Sequence, residues 1–296
     1  MGTEKHDPVT GRLTTGHEWN GIEELDTPVP RVVLFFLAAT ILFSVIYWVL
    51  MPAWPLGWSY TKGLLGFDQR EVVTLQVKEA AAERAVWMDK VASASYQDIA
   101  ADATLMRHVR DTGRTLFADN CAVCHGVNGT GSRAYPNLTI GAWLWGGDPE
   151  TIAETIRIGI NSTNDGTRVS QMMAFGRDGI LTREQILNVI AYIKSLSSQS
   201  DGNAGPQPDL KAIAAGKDVY VANCVSCHGE SGKGIREVGA PDLTDGYWLY
   251  GGDTQSIYTT IAGGRQGHMP HWGERLSAAE IKLLALYVGT LGRDKP

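Results

Sequence analysis

Two thiols with two residues between them, followed at once by an imidazole, occur twice in this chain: Cys121-Ala122-Val123-Cys124-His125 and Cys224-Val225-Ser226-Cys227-His228. Together they use all four cysteines. This is the spacing of a c-type haem attachment site. The two thiols can add across the vinyl groups of one haem, and the adjoining histidine can ligate its iron. The expectation is two covalently bound haem c groups, one on Cys121 and Cys124 and one on Cys224 and Cys227, with His125 and His228 as axial ligands. Disulfides, zinc or redox thiols would use the same cysteines. Disulfides do not require a histidine after each pair. Zinc would need both pairs together, and they lie 103 residues apart. A thiol–disulfide motif belongs on an α/β pattern, which is absent from this sequence.

An iron that only carries electrons also needs a second axial ligand. Met269 in Met269-Pro270-His271-Trp272-Gly273 is the candidate in the second half. Aligning the closing glycine puts Met172 of Met172-Met173-Ala174-Phe175-Gly176 at the same place, and Met173 opposite Pro270. Methionine is often plain core filler. Recurrence at matched positions, each after a haem motif and before a helix, favours the ligand reading. His268 and His271 flank Met269 as competitors, His108 reads as a surface residue, and His6 and His17 lie in the N-terminal tail. Arg168 and Arg265 precede the methionines and suit either haem propionates or solvent. Trp143, Trp145, Trp248 and Tyr250 are expected to pack against haem or core.

The elements that must position these residues form an internal repeat. Gly113 and Phe117 before the first motif match Gly216 and Tyr220 before the second. Pro136-Asn137-Leu138-Thr139 matches Pro241-Asp242-Leu243-Thr244, and Trp143-Leu144-Trp145-Gly146-Gly147-Asp148 matches Trp248-Leu249-Tyr250-Gly251-Gly252-Asp253. Each copy closes with an amphipathic helix. Ile186, Val189, Ile190 and Ile193 form one stripe, Ile281, Leu284, Ala285 and Val288 the other. Thr182 with Gln185, and Ser277 with Glu280, read as capping boxes. Helices also start near Asp148-Pro149 and Asp253. Each copy is a helical unit of about ninety residues with one haem, which would supply much of the apolar volume so short a chain lacks. The expected domains are 105–196 and 211–296, joined by a linker at 197–210 within the Ser/Gly/Pro-rich stretch Ser195–Pro208. Residues 53–104 read as a periplasmic connecting segment, of which 70–104, alanine-rich and amphipathic, is expected to be helical.

Val32–Met51 is a run of 20 residues without a charge. As a helix it covers about 30 Å, the thickness of a bilayer core. Tyr47, Trp48, Trp54 and Trp58 cluster at its far edge like an interfacial belt. The span, taken as 31–52, has Arg31 at its N-terminal edge and no Asp, Glu, Lys, Arg or His in the run Val32–Met51, so by itself it offers neither a haem ligand nor a proton path. Lysine and arginine counts do not orient it. Covalent haem attachment outside the bacterial inner membrane does: residues 1–30 are expected in the cytoplasm and the haem domains in the periplasm. The net charge of −6 gives no electrostatic basis for a nucleic-acid partner. It divides as −5 over residues 1–104, +1 over 105–196 and −2 over 197–296. The fold class is thus all-α: one N-terminal transmembrane helix followed by two tandem class I cytochrome c domains.

This order of parts resembles the dihaem c-type subunit III of cbb3-type cytochrome c oxidases. The likeness rests on Gly16-His17-Glu18-Trp19-Asn20-Gly21-Ile22-Glu23-Glu24-Leu25 with Pro28, Pro30 and Arg31, on Trp54-Pro55 and Thr61-Lys62-Gly63, and on the anchor and two haem motifs in that order. Met173 departs from the proline that usually follows the ligand methionine. The resemblance implies a relay that takes electrons from a soluble or membrane-bound cytochrome c. It passes them through a monohaem c subunit toward a catalytic subunit holding haem b, haem b3 and copper, with membrane lipid around the anchor. Catalysis would lie in that other subunit. A free-standing membrane cytochrome, a cytochrome subunit of a periplasmic dehydrogenase and a haem-based sensor share the haem motifs but do not account for the tail.

Overall fold

The computed structural model describes residues 5–196 and 209–292. Most of the linker therefore lies outside the described residues. The chain divides into two compact units, Met1–Ala82 and Glu83–Pro296.

In the first unit, the tail contains a feature outside the all-α expectation: a hairpin of β1 (Thr14–Trp19) and β2 (Ile22–Leu25). Trp19 pairs with Ile22 across the turn Asn20-Gly21. Both turn residues have positive φ, 51° and 86°. That backbone is what Asn-Gly supplies in a two-residue hairpin. Helix α1 (Arg31–Leu50) follows, with no buried residue and a hydropathy suited to a membrane span. Its two aliphatic hydroxyls bond within the helix: Thr40 and Ser44 donate to the carbonyls of Phe36 and Thr40 at 2.9 and 2.8 Å. The chain then folds back so that the N–H groups of Leu64 and Leu65 reach the carbonyls of Val49 and Leu50 at 3.0 and 3.1 Å. Gly63, at φ 69°, permits the approach, since a Cβ there would strike the Leu50 carbonyl.

Helix α2 (Gln69–Ser93) begins in the first unit and ends in the second. It is helical as expected but has no continuous apolar face: Val73, Leu75, Val77 and Val86 are exposed and only Val91 is buried. In the second unit α3 (Tyr96–Ala101) and α4 (Ala103–Asn120) follow, the latter capped by Asp102. Then come α5 (Ala122–His125), α6 (Pro149–Ile158) and α7 (Arg183–Leu196). The second copy repeats them as α8 (Leu210–Asn223), α9 (Val225–His228), α10 (Thr254–Gly263) and α11 (Ala278–Thr290). Start signals behave as read. Asp148 and Asp253 cap α6 and α10, and Ser277 with Glu280 forms a full capping box. Thr182 and Gln185 exchange bonds of 2.9 and 3.2 Å. Helix α4 starts two residues before the expected domain edge.

Packing departs from two self-contained copies. The final helix of each copy lies against the other copy's first helix. Helix α11 packs on α4 and α6, while α7 packs on α8 and α10. Matched glycines make the crossings possible. A Cβ on Gly113 of α4 would lie 2.6 Å from the Tyr287 Cβ of α11, and one on Gly216 of α8 would strike the Asn188 carbonyl of α7. Phe117 then meets Tyr287, and Tyr220 meets Tyr192, as tilted ring pairs with centroids 5.7 and 5.2 Å apart. The physical reason is redundancy. Helices α7 and α11 present the same stripe, so each fits either groove, and exchange of equivalent elements costs little. Val91 and Ile99 join Leu105, Val109, Leu283 and Leu286 in a third cluster, so the end of the connecting segment is part of the core.

Candidate haem centres

Both motifs have one geometry. Cys121 and Cys224 close the preceding helix with φ, ψ of −116°, −32° and −116°, −28°. One further helical turn carries the second cysteine and the histidine. The His125 and His228 N–H groups donate to the Cys121 and Cys224 carbonyls at 3.0 and 2.9 Å. Gly126 and Gly229, at φ 75° and 71°, then turn the chain away. All four cysteines are free; Cys121 packs against one core and Cys224 against another, while Cys124 is half-buried and Cys227 exposed.

The imidazoles are fixed by residues to which the sequence reading gave no role. His125 Nδ1 lies 3.0 Å from the Pro136 carbonyl and His228 Nδ1 lies 3.1 Å from that of Pro241. A carbonyl only accepts, so Nδ1 carries the proton and the Nε2 lone pair is left for a metal. Burial pushes both histidines below the usual imidazole range, against the opposing pull of those carbonyls. The neutral, ligating form is favoured. Burial, with the neighbouring cysteine second, pushes Cys121 and Cys224 up to about 11. A thioether to haem has no proton to lose, which suits such surroundings. The repeated Pro136 and Pro241 were the available signal for these contacts.

The methionines show the same exchange as the helices. Met269 packs with Phe117, Ile152, Ile156 and Leu284, in the core that Cys121 borders. Met172 packs with Ile186, Ile190, Tyr220 and Ile257, in the core that Cys224 borders. Paired backbone bonds hold each loop: Met269 with Ile160 at 2.9 Å in both directions, and Met172 with Arg265 at 2.8 and 3.1 Å. Each methionine thus packs on the core bordered by the other copy's motif and not by its own, which the repeat pattern did not anticipate. Met173 is 56% exposed and His268 is exposed, while His271 pairs with Glu274 at 3.6 Å. His108, read as a surface residue, is half-buried and stacks on Trp87 at 4.6 Å.

Arg168 lies 5.0 Å over the Trp145 ring and Arg265 lies 4.1 Å over the Tyr250 ring. Their guanidinium Nε groups donate to the matched Thr155 and Thr260 hydroxyls at 2.9 and 3.1 Å. Among the described residues, Trp145 Nε1 is the buried side-chain polar atom without a partner. A buried donor left unpaired costs about 1–3 kcal/mol. A haem propionate beside Arg168 has the acceptor chemistry that would satisfy it. Oriented neutral histidines, paired thiols, partly buried methionines and this orphan donor all fit haem c.

Comparison with known proteins covers the whole chain. Residues 11–57 match a family model described as the N-terminal domain of cytochrome oxidase-cbb3, FixP. Residues 111–197 match cytochrome c, and residues 211–288 match cytochrome c oxidase, cbb3-type, subunit III. A cbb3-type cytochrome c oxidase subunit FixP of Azorhizobium caulinodans is 46% identical, covering 97% of this chain and 96% of that protein. A subunit CcoP of Azospirillum brasilense is 44% identical over all of both chains. A FixP of Rhizobium meliloti is 41% identical over 97% of each.

Proposed function

The chain belongs to the FixP/CcoP family of cbb3-type cytochrome c oxidase subunits, and from that premise we propose that each of its two haem c groups is held between the repeats. As a member it is a dihaem, membrane-anchored electron-transfer subunit working with partner oxidase subunits. On this reading Cys121 and Cys124 bind one haem, with His125 and Met269 as axial ligands. Cys224 and Cys227 bind the other, with His228 and Met172. The observation that carries the pairing is the membership of the two cores, Met269 with Cys121 and Met172 with Cys224.

Bound haem iron supplies the one-electron carrier. The protein's part is to hold both axial positions, keep the imidazoles neutral and oriented through Pro136 and Pro241, and exclude water with the two apolar cores. Methionine opposite histidine raises a haem potential relative to two nitrogen ligands. Exchange of α7 and α11 ties the two centres into one body, so neither copy can open without loosening the other's haem. Anchored by α1 with the tail in the cytoplasm, the haem domains lie in the periplasm. There they receive electrons from a cytochrome c donor and pass them, through the monohaem c subunit, to the catalytic haem b/b3–copper subunit.

Purification through a tag on this chain from native membranes, followed by reduced-minus-oxidised spectra with and without carbon monoxide, tests the assembly. The expected result is c-type haem together with b-type haem and a carbon monoxide-binding species. c-type haem alone, in a complex shown to be intact, would overturn it.

A further inference from the structure

The two repeats agree inside and differ outside, at the rim where each motif reaches the surface. Aligned on the motif, Val123 stands opposite Ser226, Val127 opposite Glu230 and Thr130 opposite Lys233; aligned on the matched Pro136 and Pro241, Asn137 stands opposite Asp242 and Ile140 opposite Asp245. At the first rim Val123 is 91% exposed, Val127 74% and Ile140 45%. The sole Lys, Arg, Asp or Glu between residues 123 and 140 is Arg133. At the second rim Ser226 and Glu230 are exposed, as is Cys227 itself, whereas Cys124 is half-buried. Residues 226–245 carry Glu230, Glu237, Asp242 and Asp245 against Lys233 and Arg236, a balance of −2. Lys233 is not free to offset Glu230. Its ammonium lies 3.3 Å from Asp242 and also donates to Thr244. The carboxylate of Asp245 is oriented by the Tyr247 N–H at 3.0 Å.

We propose that electrons enter this chain at the second haem edge, delivered by a mobile redox protein whose docking face is basic. The proposal rests on the electron-relay reading above and adds its direction. Cys227, which would hold this haem, is exposed, so a donor could come close to the edge bonded there. Fixed negative charges around that edge steer a basic partner and orient it, raising the association rate at low ionic strength. The first edge has no such field, because its matched positions are valine, threonine, asparagine and isoleucine.

The test uses the whole purified oxidase complex and, as probe, reduced lysine-rich mitochondrial cytochrome c, followed by stopped flow across a series of salt concentrations. For the unaltered complex the second-order rate should fall steeply with salt. Glu230→Gln combined with Asp245→Asn should lower the low-salt rate by roughly threefold or more and flatten the salt dependence. Asparagine keeps the oxygen that accepts from Tyr247. Val127→Glu, which gives the first rim a charge, should leave both unchanged. If the double variant keeps the original rate and salt slope, or if Val127→Glu accelerates the donor, entry at the second edge is wrong. The haem c and haem b spectrum of each preparation reports separately on the relay reading. A complex with its full haem complement but no response at Glu230 and Asp245 sinks only the entry proposal.

Discussion

The two haem cores are near copies in construction. Each combines a first helix ending in cysteine, a single turn carrying histidine, a proline carbonyl on Nδ1, a capped middle helix and a half-buried methionine. Their rims share almost nothing: one is valine and isoleucine, the other carboxylate and serine. Interior positions answer to a group common to both, so they repeat. Surface positions answer to whatever approaches each edge, so they diverge. The exchange of α7 and α11 shows further that the copies are halves of one folded body and do not stand as beads on a string.

The largest effect expected is loss of a haem. Cys224→Ala with Cys227→Ala should leave one c-type haem per chain, readable as half the pyridine haemochrome signal. That variant also puts the exchange to its sharpest test. With only the Cys121 haem left, Met269→Leu should abolish the methionine ligation signature and lower the potential, while Met172→Leu should leave both unaltered. The opposite pattern would restore the one-copy, one-haem arrangement. In the complete chain, Met173→Leu should leave the spectrum untouched, since that side chain is exposed.

Next come the helix crossings. Gly216→Ala puts a methyl group onto the Asn188 backbone carbonyl, which cannot rotate away. Alanine gains about 1 kcal/mol of helix propensity over glycine, but overpacking against backbone costs about 1–3 kcal/mol or more. A net loss of up to about 2 kcal/mol is expected from denaturant unfolding of the haem-loaded chain. Gly113→Ala meets the Tyr287 Cβ at 2.6 Å and should act in the same direction. An unchanged midpoint in both would mean that α4 and α8 do not cross α11 and α7 closely.

Much of this was legible in residue spacing. The motifs, the closing stripes, the capping boxes and the matched methionines are all local patterns, and local patterns survive translation into structure. Which partner helix a stripe meets is not local. Ile186–Ile193 and Ile281–Val288 carry the same information, so nothing in either says whether it covers Phe117 or Tyr220. The tail hairpin was missed for another reason. Asn20-Gly21 is a hairpin signal between Glu18-Trp19 and Ile22-Glu23, but it stood within a tail read for its resemblance and its compartment, with no secondary structure assigned to it. The α2 segment misled through composition: alanine and valine suggested a face, yet the valines are spread around the helix.

The smallest expected effect lies at the helix starts. Asp148 accepts from the Thr151 N–H at 2.8 Å and Asp253 from the Ser256 N–H at 3.0 Å. Bonds from the Thr151 and Ser256 side chains, then their backbones, hold both carboxyls below the usual range. A depressed carboxyl stabilises the fold above its unfolded-state value, near about 3.9. That contribution fades as pH falls through the lower folded value. Asp148→Ala should cost about 1 kcal/mol at neutral pH, and the loss should shrink steadily in acid until wild type and variant unfold alike. Asp253→Ala should follow the same course, because the two caps are copies. If only one cap responds, the repeats are held differently at their middle helices. A pH-independent difference would mean that the aspartates act by packing and not by charge.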